Sequence, residues 1–441
     1  MALATAAPKD GFRLSMLIYD TRFRAITIQV VVLLLFLLFV GWLVDNTVQN
    51  LAAKDKDINF GFLWVRAGYD IEQQLIPYTN DSTHGRAVIV GLLNTLAIAS
   101  LGCVLATIIG VFAGVLRLSK NWIVSGLMTV YVEAFRNVPL LLWIILVFVV
   151  TSETQPEPKD FKVTPAMVES YATPDTADDI YPAASKMLFD TVALTNRGSY
   201  IPAPLLDRPL GGTEVGGIPV NFSVLATLAV IIGAVLTNRA LLRRAKAVQE
   251  ETGVRPVTWW KSLAILFLPA IALLVAMGFH LEIPAFAADE SGVSKGFNFQ
   301  GGILVQHSFT ALLIALSLYT GAFIAEIVRA GILAISRGQT EAAFALGLRP
   351  GRTMSLIILP QALRVIIPPL ISQFLNLTKN TSLGIAVSYL DLRGTLGGIT
   401  LNQTGRELEC MLLMMLTYLI ISLLISSLMN VYNSAVKLKE R

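Results

Sequence analysis

Charge is scarce in this chain of 441 residues: Asp, Glu, Lys and Arg make up 15% of it, against 54% hydrophobic residues. A water-soluble protein of that length needs far more ionised side chains to hydrate its surface, so soluble, secreted and disordered classes are all excluded. Histidine is rarer still, and His84, His280 and His307 lack the spacing of metal ligands. The two cysteines, Cys103 and Cys410, lie inside apolar runs where a thiol packs as a small hydrophobe, so no disulfide framework is implied. No G-x-x-x-x-G-K-[ST] loop occurs, so the chain does not cradle ATP by that route. Gly292-Val293-Ser294-Lys295-Gly296 fits the G-x-S-x-G pattern of a serine nucleophile, but it lies in a short loop between two apolar runs. The strand-to-helix turn that motif requires is missing there. The net charge of +4 would suit a nucleic-acid partner if the basic residues were clustered, but they fall beside the apolar runs and orient the chain in a bilayer.

What the chain has instead is apolar length, with a mean hydropathy of +0.66. About 20 apolar residues cross a hydrocarbon core, and runs of that order occur at approximately 25–45, 87–116, 121–150, 221–242, 257–278, 302–330, 355–386 and 408–432. The fold class is therefore all-α, a polytopic membrane protein of about eight transmembrane helices. The first run is too long for a cleavable signal peptide and reads as a retained anchor. Arg13, Arg22 and Arg24 hold the N-terminus inside, and Lys437, Lys439 and Arg441 hold the C-terminus there too. Segments 46–86, 151–220, 279–301 and 387–407 fall outside. The longest of them, 151–220, shows no sustained periodicity and reads as an external insertion. Phe60, Phe62, Trp64 and Tyr69 suggest a short amphipathic helix on the outer interface.

Polar groups within such runs are costly and usually line a cavity or bind a neighbour. Gln373, Asn376 and Asn380 recur at helical spacing, one stripe of amides that both donate and accept, which suits an amino-acid zwitterion. The same stripe equally fits hydrogen bonding between helices. Glu133 and Arg136 share a face before Pro139: Glu133 is placed either to meet a substrate ammonium or to pair with Arg136. Glu326 and Arg329 read as a structural ion pair, and Gly110 with Gly114 as a close-packing pair.

Between the sixth and seventh runs a short helix is expected at about 336–351, with Ser336 or Thr340 as its cap and Gly347 and Pro350-Gly351 as its stop. Ala342, Ala343 and Ala345 are unusual on a solvated loop; small side chains let another protein approach the backbone, while Phe344 and Leu346 supply apolar contact. A linker helix packed on its own spans fits the same residues. So does a channel or signalling receptor whose loop docks a soluble effector.

Glu341-Ala342-Ala343 with Gly347, followed by Leu359-Pro360-Gln361-Ala362-Leu363-Arg364, resembles the EAA loop of permeases in bacterial binding-protein-dependent ABC importers. Tyr131-Val132-Glu133-Ala134-Phe135-Arg136-Asn137-Val138-Pro139 and Lys379-Asn380-Thr381-Ser382-Leu383 are similar to the polar amino-acid branch. The N-terminal region, through Ala67-Gly68-Tyr69-Asp70-Ile71 and Ile76-Pro77-Tyr78, resembles the larger permeases of general L-amino-acid importers. The resemblance implies a five-helix core: residues 87–150 give its first two helices and 302–441 its last three with the coupling loop. Residues 1–86 would then be an anchor and periplasmic segment, and 151–301 a periplasmic insertion plus an extra helix pair. It further implies a permease of the inner membrane that imports L-amino acids and is not itself an enzyme. Its partners would be a second permease, two cytoplasmic ATPases that carry ATP and Mg, a periplasmic amino-acid-binding protein and membrane lipid. Gln339, Thr340, Glu341, Ala342, Ala343 and Gly347 would couple to the ATPase. Glu133, Gln373, Asn376 and Asn380 would meet substrate.

Overall fold

In hydrocarbon every backbone N–H and C=O must be satisfied within the chain, which is why the apolar runs become helices. The computed structural model describes residues 21–53, 58–164, 187–215, 218–254, 256–288 and 294–436. Its helices are α1 (Thr21–Ala52), α2 (His84–Leu116), α3 (Trp122–Asn137), α4 (Leu140–Glu153), α5 (Phe222–Thr252), α6 (Trp259–Ala276), α7 (His307–Leu333), α8 (Arg337–Ala345), α9 (Leu359–Asn380) and α10 (Glu407–Val436). Among the described residues seven are long and apolar enough to cross a membrane, or eight if α3 and α4 count as one broken span. The chain is thus a mainly helical, polytopic membrane protein. α1 belongs to a first unit ending at Gly61, and the second unit begins at Phe62.

The expected third span is two helices meeting at 108°. Val138 precedes Pro139 and is held extended (φ −105°, ψ 133°), because a residue before proline is pushed out of the helical region. Phe135 and Trp143 then stack across the corner, ring centroids 4.1 Å apart. At about 1.5 Å per residue neither α3 nor α4 reaches the roughly 30 Å of a hydrocarbon core.

The core of the second unit is built on α2 and α7, which run parallel. A Cβ at Gly110 would lie 2.5 Å from Ile324 Cβ and 2.8 Å from the Gly321 carbonyl, and one at Gly114 2.6 Å from the Ala325 carbonyl. Only glycine permits that approach. α9 runs antiparallel to both, with Leu377 against Gly102 and Ile366 against Gly331. Ile98, Leu312, Leu316, Ile324 and Leu377 form the buried centre. Where α2 ends, Arg117 donates to Glu326, which also receives Arg329 at 3.2 Å. The expected Glu326–Arg329 pair is therefore a triad whose third member, Arg117, comes from another helix.

Short strands lie between α4 and α7, where no periodicity was legible: β1 (Ala193–Thr195), β2 (Gly198–Ile201), β3 (Ala203–Leu206), β4 (Gly212–Val215), β5 (Ile218–Asn221), β6 (Phe279–Glu282), β7 (Ala285–Ala288), β8 (Ser294–Gln300) and β9 (Ile303–Val305). All pairings are antiparallel, in the orders β1-β2-β9, β3-β6, β4-β5 and β7-β8. Phe161, Tyr200, Phe286 and Phe299 close over one another as their core. Within the G-x-S-x-G match, Gly292 and Val293 lie outside the described residues. Ser294 opens β8, its hydroxyl accepting from the Val163 backbone N–H at 3.0 Å, so it stands in a strand and not on a nucleophile turn.

The amphipathic helix expected around 58–78 does not form. One 3-10 turn, Gly61–Trp64, is followed by irregular chain in which Ala67, Ile71 and Tyr78 are buried against Ala87 and Val90 of α2. Inward-facing apolar residues had been indistinguishable from membrane-facing ones by composition alone.

Candidate functional site

α8 begins after Ser336, which occupies the cap position without a side-chain cap bond; the Ser336 carbonyl takes the Gln339 N–H instead. The capping-box expectation therefore fails, and Thr340 lies inside the helix. Its end follows the expected glycine stop. Gly347 adopts φ +74°, Leu348 N–H bonds the Ala343 carbonyl and Gly347 N–H bonds that of Phe344. That pair of bonds is a Schellman closure. Ala343 is fully buried, whereas Glu341, Ala342, Phe344 and Leu346 are exposed. One small residue thus seats the helix on its own chain, near Gln361, whose amide lies 3.5 Å from that of Gln339. The rest of α8 exposes Arg337, Glu341, Ala342 and Phe344, and Leu346, which follows it, is 80% exposed.

The amide stripe on α9 lines a cavity. Gln373, Asn376 and Asn380 face Tyr319, Thr320 and Phe323 of α7 across about 330 Å³. The three α7 residues were missed in the sequence; their only signal was a Tyr-Thr pair within an otherwise apolar run. This lining has amides, two hydroxyls and aromatic faces but no charge. It can donate to a carboxylate and accept from an ammonium without favouring either sign. Lys379 is exposed and stands off the lining, as its position between stripe residues dictates.

Glu133 is not among the lining residues. It is half exposed, 4.0 Å from Arg136, and it takes the Asn137 side-chain amide on both its backbone carbonyl and its carboxylate. Arg136 instead reaches the cavity's edge, its guanidinium carbon 5.6 Å from the centroid of the Phe323 ring. The ion-pair alternative is the arrangement present.

Beyond Asn380 the helix tightens into a 3-10 turn, Thr381–Val387, then Ser388 turns left-handed (φ 60°) and residues 393–400 form a π-helical turn. This broken segment is tied to the start of α2: Thr95 accepts from the Leu392 N–H at 3.0 Å, Tyr389 donates to the Asn94 carbonyl at 3.1 Å, and His84 meets Thr400 at 3.0 Å. Asp391 is fully buried at its centre, accepting from Gly394 N–H and the Tyr418 hydroxyl; burial pushes its carboxyl up to about 6 despite those bonds. No signal short of the fold itself pointed to it. Among the described residues no group of three or more His, Cys, Asp and Glu side chains is placed to hold a metal.

Residues 262–438 match the family described as binding-protein-dependent transport system inner membrane component. Over the whole length of both chains the sequence is 65% identical to the glutamate/glutamine/aspartate/asparagine transport system permease protein BztB of Rhodobacter capsulatus. It is 39% identical to the general L-amino acid transport system permease protein AapQ of Rhizobium johnstonii, over 98% of this chain and 96% of that one. The glutamate/aspartate import permease protein GltK of Escherichia coli O157:H7 is 33% identical over 48% of this chain and 89% of its own.

Proposed function

The chain belongs to the amino-acid permeases of binding-protein-dependent transport systems, and from that premise we propose how its parts share the work. It is a transport subunit, a multi-pass membrane permease of an ABC importer for L-amino acids. The match along the whole chain carries this reading over a channel or receptor. In our reading ATP and Mg sit on two separate cytoplasmic ATPase chains, a second permease completes the pore, and a periplasmic binding protein delivers the substrate. Both termini lie in the cytoplasm of a bacterial inner membrane.

The cavity between α7 and α9 is proposed as the substrate site, through Gln373, Asn376 and Asn380. An amide both donates to a side-chain carboxylate and accepts from a side-chain amide. Such a lining suits glutamate with glutamine and aspartate with asparagine, the set that BztB's name gives. Glu133 is assigned the substrate ammonium, acting from the cavity's flank where Arg136 lies over Phe323. The exposed face of α8 is assigned to the ATPase, with Gln339, Thr340, Glu341, Ala342, Ala343 and Gly347 as coupling residues. Four domains follow: 1–86, the anchor and periplasmic segment; 87–150, the first core helices; 151–301, the insertion with its helix pair; and 302–441, the last core helices with the coupling loop. A ligand that closes the ATPases moves this permease only through contacts that differ between two states, and α8 follows α7, one wall of the cavity, after the three residues 334–336.

The test is reconstitution of the co-purified assembly in liposomes, with ATP hydrolysis and amino-acid uptake measured together. Uptake that requires ATP and the binding protein is expected. Amino-acid flux without ATP would establish the channel alternative.

A further inference from the structure

A second cavity, about 520 Å³, lies past the 3-10 turn that follows Asn380. Its lining includes Asp70, Glu72, Gln73, Gln306, Ser308 and Asn402, and no lysine, arginine or histidine. Ile385, which lines this cavity, lies five residue steps along the 3-10 turn from Asn380, which lines the first, a rise of about 10 Å. Along α7, Thr320 and Ser308 are separated by about 18 Å at the helical rise. The two cavities therefore follow one another along both helices.

The walls are held in place. Asn94, itself 1% exposed, donates through Nδ2 to the carbonyls of Gln73 at 2.7 Å and Leu390 at 2.9 Å, two lining residues on separate segments. Gln306 N–H reaches Gln73 Oε1 at 3.5 Å and joins a third segment to them. The Asn94 Oδ1 remains without a hydrogen-bond partner in the structure. Asp70 and Glu72 are exposed towards this space, and among the described residues neither forms an ion pair with a basic side chain.

We propose that this cavity is an ammonium-binding station for the transported amino acid, occupied before the cavity between α7 and α9, with Asp70 and Glu72 holding the α-ammonium. The proposal rests on the importer reading above. A concave space of this size fits a whole amino acid, and a lining with two carboxylates and neutral amides favours the group that every amino acid shares. The same two charges disfavour a second carboxylate on the substrate. The first cavity, being neutral, does not discriminate by net charge, so the station past the 3-10 turn is where glutamate and glutamine are told apart.

The experiment compares labelled glutamate and glutamine uptake by the full complex carrying Asp70→Asn with Glu72→Gln, and separately Glu72→Lys, each with the unaltered binding protein. Because the binding protein is unchanged, any change in ratio arises in the permease. The glutamate to glutamine ratio is expected to rise about three- to tenfold in the double variant, the size that partly exposed charge contacts support. A rise of similar size is expected in Glu72→Lys, which with Asp70 retained brings the two positions to the same zero net charge. Both substitutions fall on exposed side chains, and the amount of complex in the membrane is measured alongside. An unchanged ratio with wild-type uptake intact overturns this inference alone, whereas absence of ATP-driven uptake by the wild type overturns the importer reading. If the variants weaken stimulation of ATP hydrolysis by the binding protein and leave the ratio fixed, the carboxylates serve protein docking and the station is rejected.

Discussion

Asp391 accepts two hydrogen bonds at a position sealed from solvent, between the 3-10 turn and the π-helical turn that follow α9. Its carboxyl is raised from 3.8 to about 6, desolvation by burial outweighing the donors. A raised folded pKa means that the native state holds the proton more tightly than the unfolded chain. This contribution to stability is present at low pH and is lost as pH rises from about 4 through about 6. The loss is on the order of 3 kcal/mol for a shift of about two pH units. Thermal unfolding of the purified complex between pH 4 and 7 should therefore show a decline in Tm that Asp391→Asn flattens; parallel profiles for the two proteins would show that Asp391 does not titrate there. Asn380 offers a different test. Replacing its amide by a carboxylate, Asn380→Asp, places a charge in a lining that has none, and uptake should shift towards arginine and away from glutamate. Competition among labelled glutamate, leucine and arginine reads the shift directly, and fixed ratios would remove Asn380 from the substrate site.

α8 is the element whose form was most legible: a short helix and its glycine stop at Gly347 were readable, because local bonds determine both, whereas the side-chain cap expected at Ser336 or Thr340 does not form and the helix ends at Ala345, short of 351. Gly347 at φ +74° admits no other residue cheaply, since an L side chain costs about 1–2 kcal/mol there. Gly347→Asp and Glu341→Lys are each expected to lower uptake severely while the complex still reaches the membrane, at a cost of roughly 2–5 kcal/mol where the contact is desolvated. Uptake at the wild-type rate with normal membrane levels would refute coupling through this helix. The cavity was half legible for a related reason. Gln373, Asn376 and Asn380 mark one wall by spacing along a single helix, whereas Tyr319, Thr320 and Phe323 become a wall only when α7 packs across from α9. No periodicity within α7 records that meeting. Residues 121–150 read as one span, yet α3 and α4 meet at 108°, where Val138 is held extended before Pro139 and Phe135 stacks on Trp143.

At the scale of the molecule the apolar spans were legible because crossing a bilayer requires length in one stretch, a property of the stretch alone. The strands were not: most of those between α4 and α7 have three or four residues, too few to display alternation, and their pairing joins residues as distant as Ser199 and Val305. Direction across the membrane is open to single-cysteine labelling in a background lacking Cys103 and Cys410. A membrane-impermeant reagent should label Leu205→Cys, on β3, in intact spheroplasts and Leu346→Cys, after α8, only on lysis; the reverse pattern would invert the topology. The pairing of β2 with β9 bears on the chain's connectivity as well. Pro156, just past α4, accepts from Asn196 N–H at 2.9 Å, and Ser199 pairs with Val305, two residues before α7. With strands about 4.8 Å apart, and three residues from Asn196 to Ser199 spanning about 10 Å, the ends of the whole intervening segment stand close enough for a few residues to bridge. The segment between Pro156 and Val305 thus has a closed mouth: a few residues could join its ends without rethreading the helices on either side, because loop closure penalises length only slowly.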